Sequence, residues 1–149
     1  MAYLENTKKF TAVLNRKHPI GQLLNGVCHA TAGLVGKLPK ETPEFLDYPN
    51  DADGFVAAIS RYPFIALEAK NSNQLSTLRK AAAEGGVAHN VFVAAMIGHS
   101  AQDQIEKTKS AVAEGLDYMV VVLFGEAATL DPLTKKFSLF KSSAPIEGG

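Results

Sequence analysis

Apolar and polar residues recur along this chain with two periods, which is the pattern of strands that alternate with amphipathic helices. Four segments each contain a largely apolar run and predict the main strands, as expected of strands covered on both faces of a sheet. These segments are residues 8–15, 62–69, 87–97 and 116–124. The fourth is the most apolar, and we therefore expect it to be central in the sheet.

Two weaker segments predict minor strands. Residues 55–59 follow the turn signal Asp53-Gly54 and indicate an edge strand. Residues 136–140 indicate a last strand after a turn at Asp131-Pro132. Residues 37–53 carry three prolines and several acidic side chains, which favours a long irregular connection.

The first predicted helix spans about residues 20–35. Its expected apolar face consists of Leu23, Leu24, Val27, Thr31, Leu34 and Val35. The second helix begins at a capping box, Asn71 with Gln74, and ends at Gly85-Gly86. The third has Ser100 as its N-cap and closes at Gly115. Its expected inner side consists of Ile105, Thr108 and Val112.

This order of elements predicts an α/β protein with three layers, α/β/α, around a mixed sheet of four to five strands. At 149 residues the chain is one domain, 1–149, with a core over 8–141 and a loose tail over 142–149. Ligands of such sheets bind at the carboxyl ends of strands, which points to residues 15–22 and 98–103.

Charge and cysteine content narrow the function classes. Fifteen Lys and Arg residues balance fifteen Asp and Glu residues, so a dedicated nucleic-acid binder is not expected. The single Cys28 fits a reducing compartment, and charged residues near the amino terminus argue against a signal peptide. We therefore expect a cytoplasmic protein, with Cys28 as a small core residue.

Residues 18–36 contain no formally charged side chain. This segment is interrupted by polar residues and glycines, so we reject a membrane-spanning helix and do not expect a membrane partner. A second face of the helix is polar but uncharged, with small residues around it. That face consists of Gln22, Asn25, His29, Gly33 and Gly36, flanked by Gly26 and Ala30. Because a solvated face normally carries Lys or Glu, we expect this one to be covered, either by a ligand or by a second copy of the chain.

His29 is the leading candidate for a functional residue, as a general acid or base or as a group that orients a ligand. The alternative is a partly buried histidine that donates to a backbone carbonyl. Asn25 lies one turn earlier and either contacts the same ligand or caps a loop. His99 and Ser100 stand at a strand-to-helix turn that could hold an anion, or they are a plain cap with a surface histidine. The scattered His and Cys residues have no metal-ligand spacing, so no metal site is expected, and no motif indicates a cofactor.

Several of these residues carry a resemblance to the bacterial family known as domain of unknown function 2000. The resemblance covers about residues 8–141. Its motifs are Gly21-Gln22-x-x-Asn25-x-x-Cys28-His29-Ala30, Asp51-Ala52-Asp53-Gly54, the strand 63–69, Gln74-Leu75-x-x-Leu78-Arg79, Val122-Leu123-Phe124-Gly125 and Leu133-Thr134-Lys135-Lys136-Phe137-Ser138-Leu139. The resemblance implies a fold similar to that of type II peptidyl-tRNA hydrolases, often dimeric.

The hydrolase motif is matched only in part. Gly21, His29 and Ala30 agree with it, but Gln22 stands where the hydrolases have lysine. Residues 94–100 also lack the carboxylate that the hydrolases place after their third strand. These departures count against peptidyl-tRNA hydrolysis, although the location of the site can persist while its chemistry differs.

Three hypotheses follow for function. The first is binding of a small polar or anionic ligand near the first helix, through Gly21, Gln22, Asn25, His29, His99 and Ser100, with His29 as the catalytic candidate. The second is a peptidyl-tRNA hydrolase-like enzyme or RNA binder, so any enzymatic activity is expected to be hydrolase-like. The third is a homo-oligomer, such as a homodimer, whose small-residue helix face is an interface.

Overall fold

The computed structural model describes residues 7–141. The strands are β1 (Lys8–Asn15), β2 (Phe45–Pro49), β3 (Val56–Ser60), β4 (Phe64–Ala69), β5 (Ala88–Val93), β6 (Tyr118–Glu126) and β7 (Ser138–Leu139). The helices are α1 (Ile20–Lys37), α2 (Ser72–Glu84), α3 (Ala101–Ser110) and α4 (Ala127–Thr134). The expected tail over 142–149 lies outside the described residues. Within residues 7–141, no helix has the length and apolar character needed to cross a bilayer.

Five strands form a mixed sheet in the order β5-β6-β1-β4-β7. β1 is parallel to β4 and antiparallel to β6, and β6 is antiparallel to β5. Strands β1, β4 and β5 therefore run in the same direction, and their carboxyl ends meet at one edge of the sheet. The predicted mixed α/β class is confirmed, and the interior place of β6 agrees with its continuous apolar sequence.

Helices cover both faces of this sheet. Alternate residues of β1 point to opposite sides, so Phe10 and Leu14 enter one core while Val13 enters the other. The first core includes Leu23, Ala30 and Leu34 of α1. The second core includes Leu75, Leu78 and Ala82 of α2 together with Leu130 of α4. Apolar residues that recur every two positions in the strands and every three or four in the helices thus form the two cores.

The helix boundaries follow the predicted capping chemistry. The Asn71 side chain accepts a hydrogen bond from the Gln74 backbone at 3.0 Å, and α2 ends before Gly85. Gly86 follows with a φ of 67°, a conformation that favours glycine. Ser100 caps α3 by accepting a hydrogen bond from the Asp103 backbone at 3.2 Å. Local sequence signals were therefore sufficient to predict where these helices begin.

The segment before β4 differs from the prediction. The connection expected to be irregular contains β2, and β2 pairs with β3 in a separate two-stranded antiparallel sheet. The strand expected at the edge of the main sheet is thus half of an independent hairpin. Long-range pairing decided this, since the hairpin brings Phe45 opposite Ser60 and cannot be read from either strand alone.

The turn expected at Asp131-Pro132 is also wrong, because both residues lie inside α4. Leu130 is fully buried against the second core, and Thr134 Oγ1 donates to the Leu130 carbonyl at 3.1 Å. Helix α4 therefore continues through Pro132 and buries Leu130 in the second core.

The expected faces of helices α1 and α3 and the expected end of the third main strand are also wrong. The buried side of α1 consists of Leu23, Gly26, Ala30 and Leu34, so Leu24 and Cys28 are exposed. The small residues of α1 face the sheet. The helix is therefore rotated about its axis relative to the prediction, and Cys28 faces outward. Helix α3 stops at Ser110 and has no buried residue, so Ile105 and Val112 are exposed. The third main strand also ends early, at Val93, where a short 3₁₀ turn begins.

Candidate functional site

A cavity of about 730 Å³ lies between α1, β5 and α3. Its lining combines an apolar floor with amide, imidazole and hydroxyl groups. The lining residues are Asn25, His29, Ala30, Asn90, Val91, Phe92, Met96, Ile97, Gly98, Gln104, Ile105, Thr108 and Lys109. The volume is within the usual range for small-molecule sites. We call this space the α1–β5–α3 cavity.

One wall of the cavity is the polar face of α1. Asn25 and His29 are four residues apart, so they lie one above the other on the same side of the helix. Both side chains are exposed. The His29 ring stacks on the buried ring of Phe92, with 6.2 Å between centroids and 24° between planes. The imidazole therefore stands at the cavity wall with its ring nitrogens available to a ligand.

The opposite wall is β5, where Asn90 links the strand to the helix. Asn90 Nδ2 donates to the backbone carbonyl of Ala30 at 3.0 Å. The amide oxygen of Asn90 makes no hydrogen bond with any residue from 7 to 141. Asn90 lines the cavity, so this oxygen is an acceptor that a ligand can use.

Small residues of α1 allow this close packing of helix on sheet. A Cβ atom at Gly26 would lie 3.0 Å from Phe92 Cδ1 and 3.2 Å from Val120 Cγ2. A Cβ atom at Gly33 would lie 2.9 Å from Asn90 Nδ2. The glycines that suggested an intermolecular interface are thus used for packing within the chain.

Helix α3 and the turn before it form the third wall. Gln104 Nε2 donates to the carbonyl of Gly98 at 3.0 Å, which ties the helix to the turn. Thr108 Oγ1 is shielded from solvent and has no hydrogen-bond partner within the described part of the chain. A buried hydroxyl without a partner is uncommon, and here it belongs to a residue that lines the cavity.

The electrostatic character of the cavity is nearly neutral. Lys109 is the one charged side chain among its lining residues, and none of them is a carboxylate. Across residues 7–141, no group of three or more His, Cys, Asp or Glu side chains is placed to hold a metal ion. The cavity presents amide, imidazole and hydroxyl groups for hydrogen bonding, over a floor of aromatic and aliphatic side chains.

The structure brings together only some of the residues that the sequence analysis named. Asn25 and His29 line the cavity, whereas Gly21, Gln22, His99 and Ser100 do not. Gly21 and Gln22 are exposed in the first turn of α1, and His99 is exposed beside the cap of α3. The Ser100 hydroxyl is occupied as an N-cap.

Sequence reasoning missed four polar lining residues, namely Asn90, Gln104, Thr108 and Lys109. Asn90 gave a detectable signal, because an amide in the middle of an apolar strand needs a partner. Gln104 and Thr108 gave none, since polar residues are ordinary on a surface helix. Of the other histidines, His18 lies in the loop after β1, with Nε2 3.1 Å from Asp117 Oδ2, and His89 lies in β5.

Comparison with known proteins identifies the family of this chain and a solved structure with a similar fold. The sequence profile of a family described as "protein of unknown function (DUF2000)" matches residues 8–141. A solved structure of a protein of unknown function from Agrobacterium tumefaciens is similar, with a TM-score of 0.74 and 19% identity. The match covers 91% of this chain and 98% of that one, and at this identity it shows the fold. No curated protein matches the sequence.

Proposed function

The chain belongs to the DUF2000 family, and we propose that its α1–β5–α3 cavity binds a small polar ligand. The observation that carries this proposal is the set of unused polar atoms in one cavity. The Asn90 amide oxygen forms no hydrogen bond within residues 7–141, and the Asn25 and His29 side chains are exposed at the same cavity. A ligand of matching shape can hydrogen-bond all three groups at once.

The lining also indicates the chemical class of the ligand. The apolar floor of the cavity and the exposed His29 ring favour a flat, partly apolar body, since aromatic faces stack on planar groups. Three side-chain amides and His29 supply donors and acceptors around it. Lys109 can pair with one anionic group, and no second cation lines the cavity. We therefore propose a planar polar molecule that carries at most one negative charge.

His29 is the residue through which this cavity would transfer a proton if its ligand is a substrate. Its imidazole is exposed at the wall and its ring is stacked on Phe92. No carboxylate lines the cavity to orient the imidazole, so the proposed role of His29 is first to hydrogen-bond the ligand.

Side-chain amide resonances in NMR spectra test the proposal. Nicotinamide and nicotinate serve as a neutral and an anionic planar probe. We expect both to shift the amide signals of Asn25, Asn90 and Gln104, and to leave the amide of Gln22 unchanged. Gln22 is the internal control, because it is exposed on the same helix and does not line the cavity.

Matched variants sharpen this test. His29→Ala should weaken the binding of both probes, whereas Gln22→Ala should not. Lys109→Gln should weaken nicotinate and leave nicotinamide unaffected. Shifts that are absent at all three lining amides, or that are equal at Gln22, would show that the site is elsewhere.

Hydrolysis of peptidyl-tRNA has less support than binding. The fold similarity to type II peptidyl-tRNA hydrolases stays a prediction, and the similar solved structure is itself of unknown function. The position that carries lysine in the hydrolases is Gln22, which is exposed outside the cavity, and the cavity has no carboxylate. A direct assay decides this question, since turnover of peptidyl-tRNA by the purified protein would reinstate the hydrolase.

Association of two copies is a second candidate, and the hairpin β2–β3 favours it. Its large apolar side chains are between 43% and 61% exposed. They are Phe45, Leu46, Tyr48, Phe55, Val56 and Ile59. An isolated two-stranded hairpin is marginally stable in water, so a partner for this surface would stabilise it.

The exposed apolar area of the hairpin supplies part of a homodimer interface. Burial of an aromatic side chain removes about 150–250 Å² from water, so the six half-exposed side chains on the two faces of the hairpin supply roughly 500 Å² in total. A standard interface buries about 800 Å² on each partner, so other residues must contribute the rest. The Leu46–Ile59 and Tyr48–Ala57 pairs stand on one face of the hairpin, and Phe45 and Val56 stand on the other.

Light scattering tests this association. We expect the wild-type mass to be twice that of the 15.9 kDa chain. The double substitution Tyr48→Thr with Ile59→Thr should give monomers while it keeps strand propensity. Val112→Thr is the control, because Val112 is 71% exposed and lies outside the hairpin. A monomeric wild-type protein would exclude the homodimer.

We also propose a cytoplasmic location. The single Cys28 is exposed and unpaired, and such a thiol persists in a reducing compartment. Fractionation of cells that express the protein tests this location, and recovery from the membrane or the medium would contradict it.

A further inference from the structure

A second cavity lies at the carboxyl ends of β1 and β4. These neighbouring strands are parallel, and the chain leaves them toward opposite faces of the sheet. Helix α1 follows β1 into the first core, and α2 follows β4 into the second. Adjacent parallel strands whose connections diverge in this way leave a crevice in which α/β proteins bind ligands.

The crevice is lined by three basic side chains from separate parts of the chain. Arg16 is the first residue after β1, and Lys70 is the first after β4. Lys136 comes from the turn before β7. The cavity measures about 350 Å³. Glu68 and Gln74 also line it.

Positive charge exceeds negative charge in this crevice, although the whole chain is neutral. Glu68 is its one carboxylate, and it lies 3.5 Å from Arg16 Nε and accepts a hydrogen bond from the backbone of Lys141 at 3.2 Å. Neither Lys70 nor Lys136 forms an ion pair with a residue in the range 7–141. Three cations and one carboxylate leave an excess of two positive charges.

The crevice is also held in place before any ligand arrives. Buried Asn15 donates to the Tyr118 carbonyl at 2.9 Å and accepts from the Lys17 backbone at 3.0 Å, so the end of β1 is fixed. The Arg16 backbone donates to Ala69 at 2.9 Å, which fixes the two strand ends against each other. The Arg16 guanidinium lies 4.6 Å from the centre of the Phe140 ring.

The start of α2 adds to the positive potential. This helix of 13 residues begins at Ser72, two residues after Lys70, and has no acidic residue in its first turn. Its amino-terminal end carries the positive pole of the helix dipole, and no carboxylate there offsets it. Gln74 of this first turn lines the cavity.

We propose that this crevice binds the phosphate monoester group of a small molecule. A phosphate monoester carries nearly two negative charges near neutral pH, which matches the excess of two positive charges. The cavity volume leaves room for a small organic part beside the phosphate. This site is separate from the α1–β5–α3 cavity, because β6 and β1 stand between β5 and β4 in the sheet.

Calorimetric titration at low ionic strength tests the proposal, with inorganic phosphate and ribose 5-phosphate as probes. We expect Lys70→Gln and Lys136→Gln each to weaken binding by about tenfold, the loss typical of one charge-assisted hydrogen bond. Both lysines are exposed, so these variants should fold normally. Lys80→Gln makes the same charge change on exposed α2 surface outside the cavity and should bind like the wild type.

Two further measurements identify the source of the phosphate and the site at which it binds. A single-stranded RNA oligonucleotide that binds in place of the small probes, with the same loss in Lys70→Gln, would show that the phosphate comes from nucleic acid. His29→Ala should leave phosphate binding unchanged, which keeps this site distinct from the proposed ligand cavity. Wild-type affinity in both Lys70→Gln and Lys136→Gln, an equal loss in Lys80→Gln, or no binding of any probe would overturn the proposal.

Discussion

The Asn90 side chain donates a hydrogen bond of 3.0 Å to the backbone carbonyl of Ala30, and so joins β5 to α1 across the edge of the first core. The bond exists because Gly33 leaves room for the amide, whose nitrogen lies 2.9 Å from where a Cβ atom would stand. The same residue lines the α1–β5–α3 cavity. Packing of the helix and construction of the candidate site therefore depend on one side chain.

Replacement of Gly33 tests this relationship. Gly→Ala inside a helix normally stabilises a protein by about 0.5–1 kcal/mol. At Gly33 the new methyl group must displace the Asn90 amide, and loss of its hydrogen bond costs about 1 kcal/mol. We expect the free energy of unfolding of Gly33→Ala, measured in urea, to equal or fall below that of the wild type.

Gly36→Ala is the matched control for this substitution. Gly36 is in the same helix, and nothing lies within 4 Å of a Cβ atom built there. It should therefore show the stabilisation that Gly33→Ala lacks. Equal stabilisation in both variants would mean that the Asn90–Ala30 bond contributes nothing.

Thr108→Val should raise the stability of the protein and leave ligand binding unchanged. The substitution removes a solvent-shielded hydroxyl that has no partner within residues 7–141, while it keeps the side-chain shape. We expect the free energy of unfolding in urea to rise by about 1 kcal/mol. Binding of nicotinamide, followed by NMR, should match the wild type, because the shielded hydroxyl does not face the ligand. Thr108→Ser keeps the hydroxyl and should not show this gain, and a Val variant no more stable than the wild type would mean that the hydroxyl costs nothing.

The thiol of Cys28 reports on the outer face of α1. Cys28 is the only cysteine of the chain and is exposed. We expect Ellman's reagent to modify it in the native protein nearly as fast as in urea. Protection of the Cys28 thiol from modification in the native protein would show that the outer face of α1 is covered. If this protection disappears when the protein is diluted, a second copy of the chain covers the face.

The base of the hairpin should respond to acid. Arg61 Nη1 donates a 2.6 Å hydrogen bond to Glu44 Oε1, and this bond holds the pKa of the Glu44 carboxyl below its usual value of 4.5. A carboxyl with a lowered pKa stabilises the folded state above pH 4.5, and this contribution is lost as the pH falls through the folded pKa. Carbon-13 NMR titration of Glu44 should therefore give a midpoint below 4.5.

Substitution of Arg61 provides the comparison for this titration. Arg61→Gln removes the charged donor, so the Glu44 midpoint should rise toward 4.5. Arg79→Gln removes a guanidinium elsewhere, where Arg79 Nε donates to the Tyr118 hydroxyl at 3.1 Å. It should leave Glu44 unchanged. A Glu44 midpoint that does not respond to Arg61→Gln would contradict the role of this pair.

The sequence was a good guide wherever short-range signals and packing agree. The apolar run of β1 and the cap residues Asn71 and Ser100 predicted elements that the structure contains. Faces of helices were harder to predict. Leu24 has the spacing of a core residue, yet it is 56% exposed because Gly26 and Ala30 bring the helix close to the sheet on another side.

The sequence by itself determined that this chain forms a mixed α/β sheet with helices on its faces, because hydrophobic periodicity and capping chemistry act within a few residues of each other. Only the tertiary structure decided which residues share a cavity. Asn25 and His29 meet Asn90 and Thr108 because α1, β5 and α3 converge, and Arg16 meets Lys70 and Lys136 because β1 lies beside β4. Such groups are far apart in the chain, and the burial of apolar surface by the whole domain brings them together.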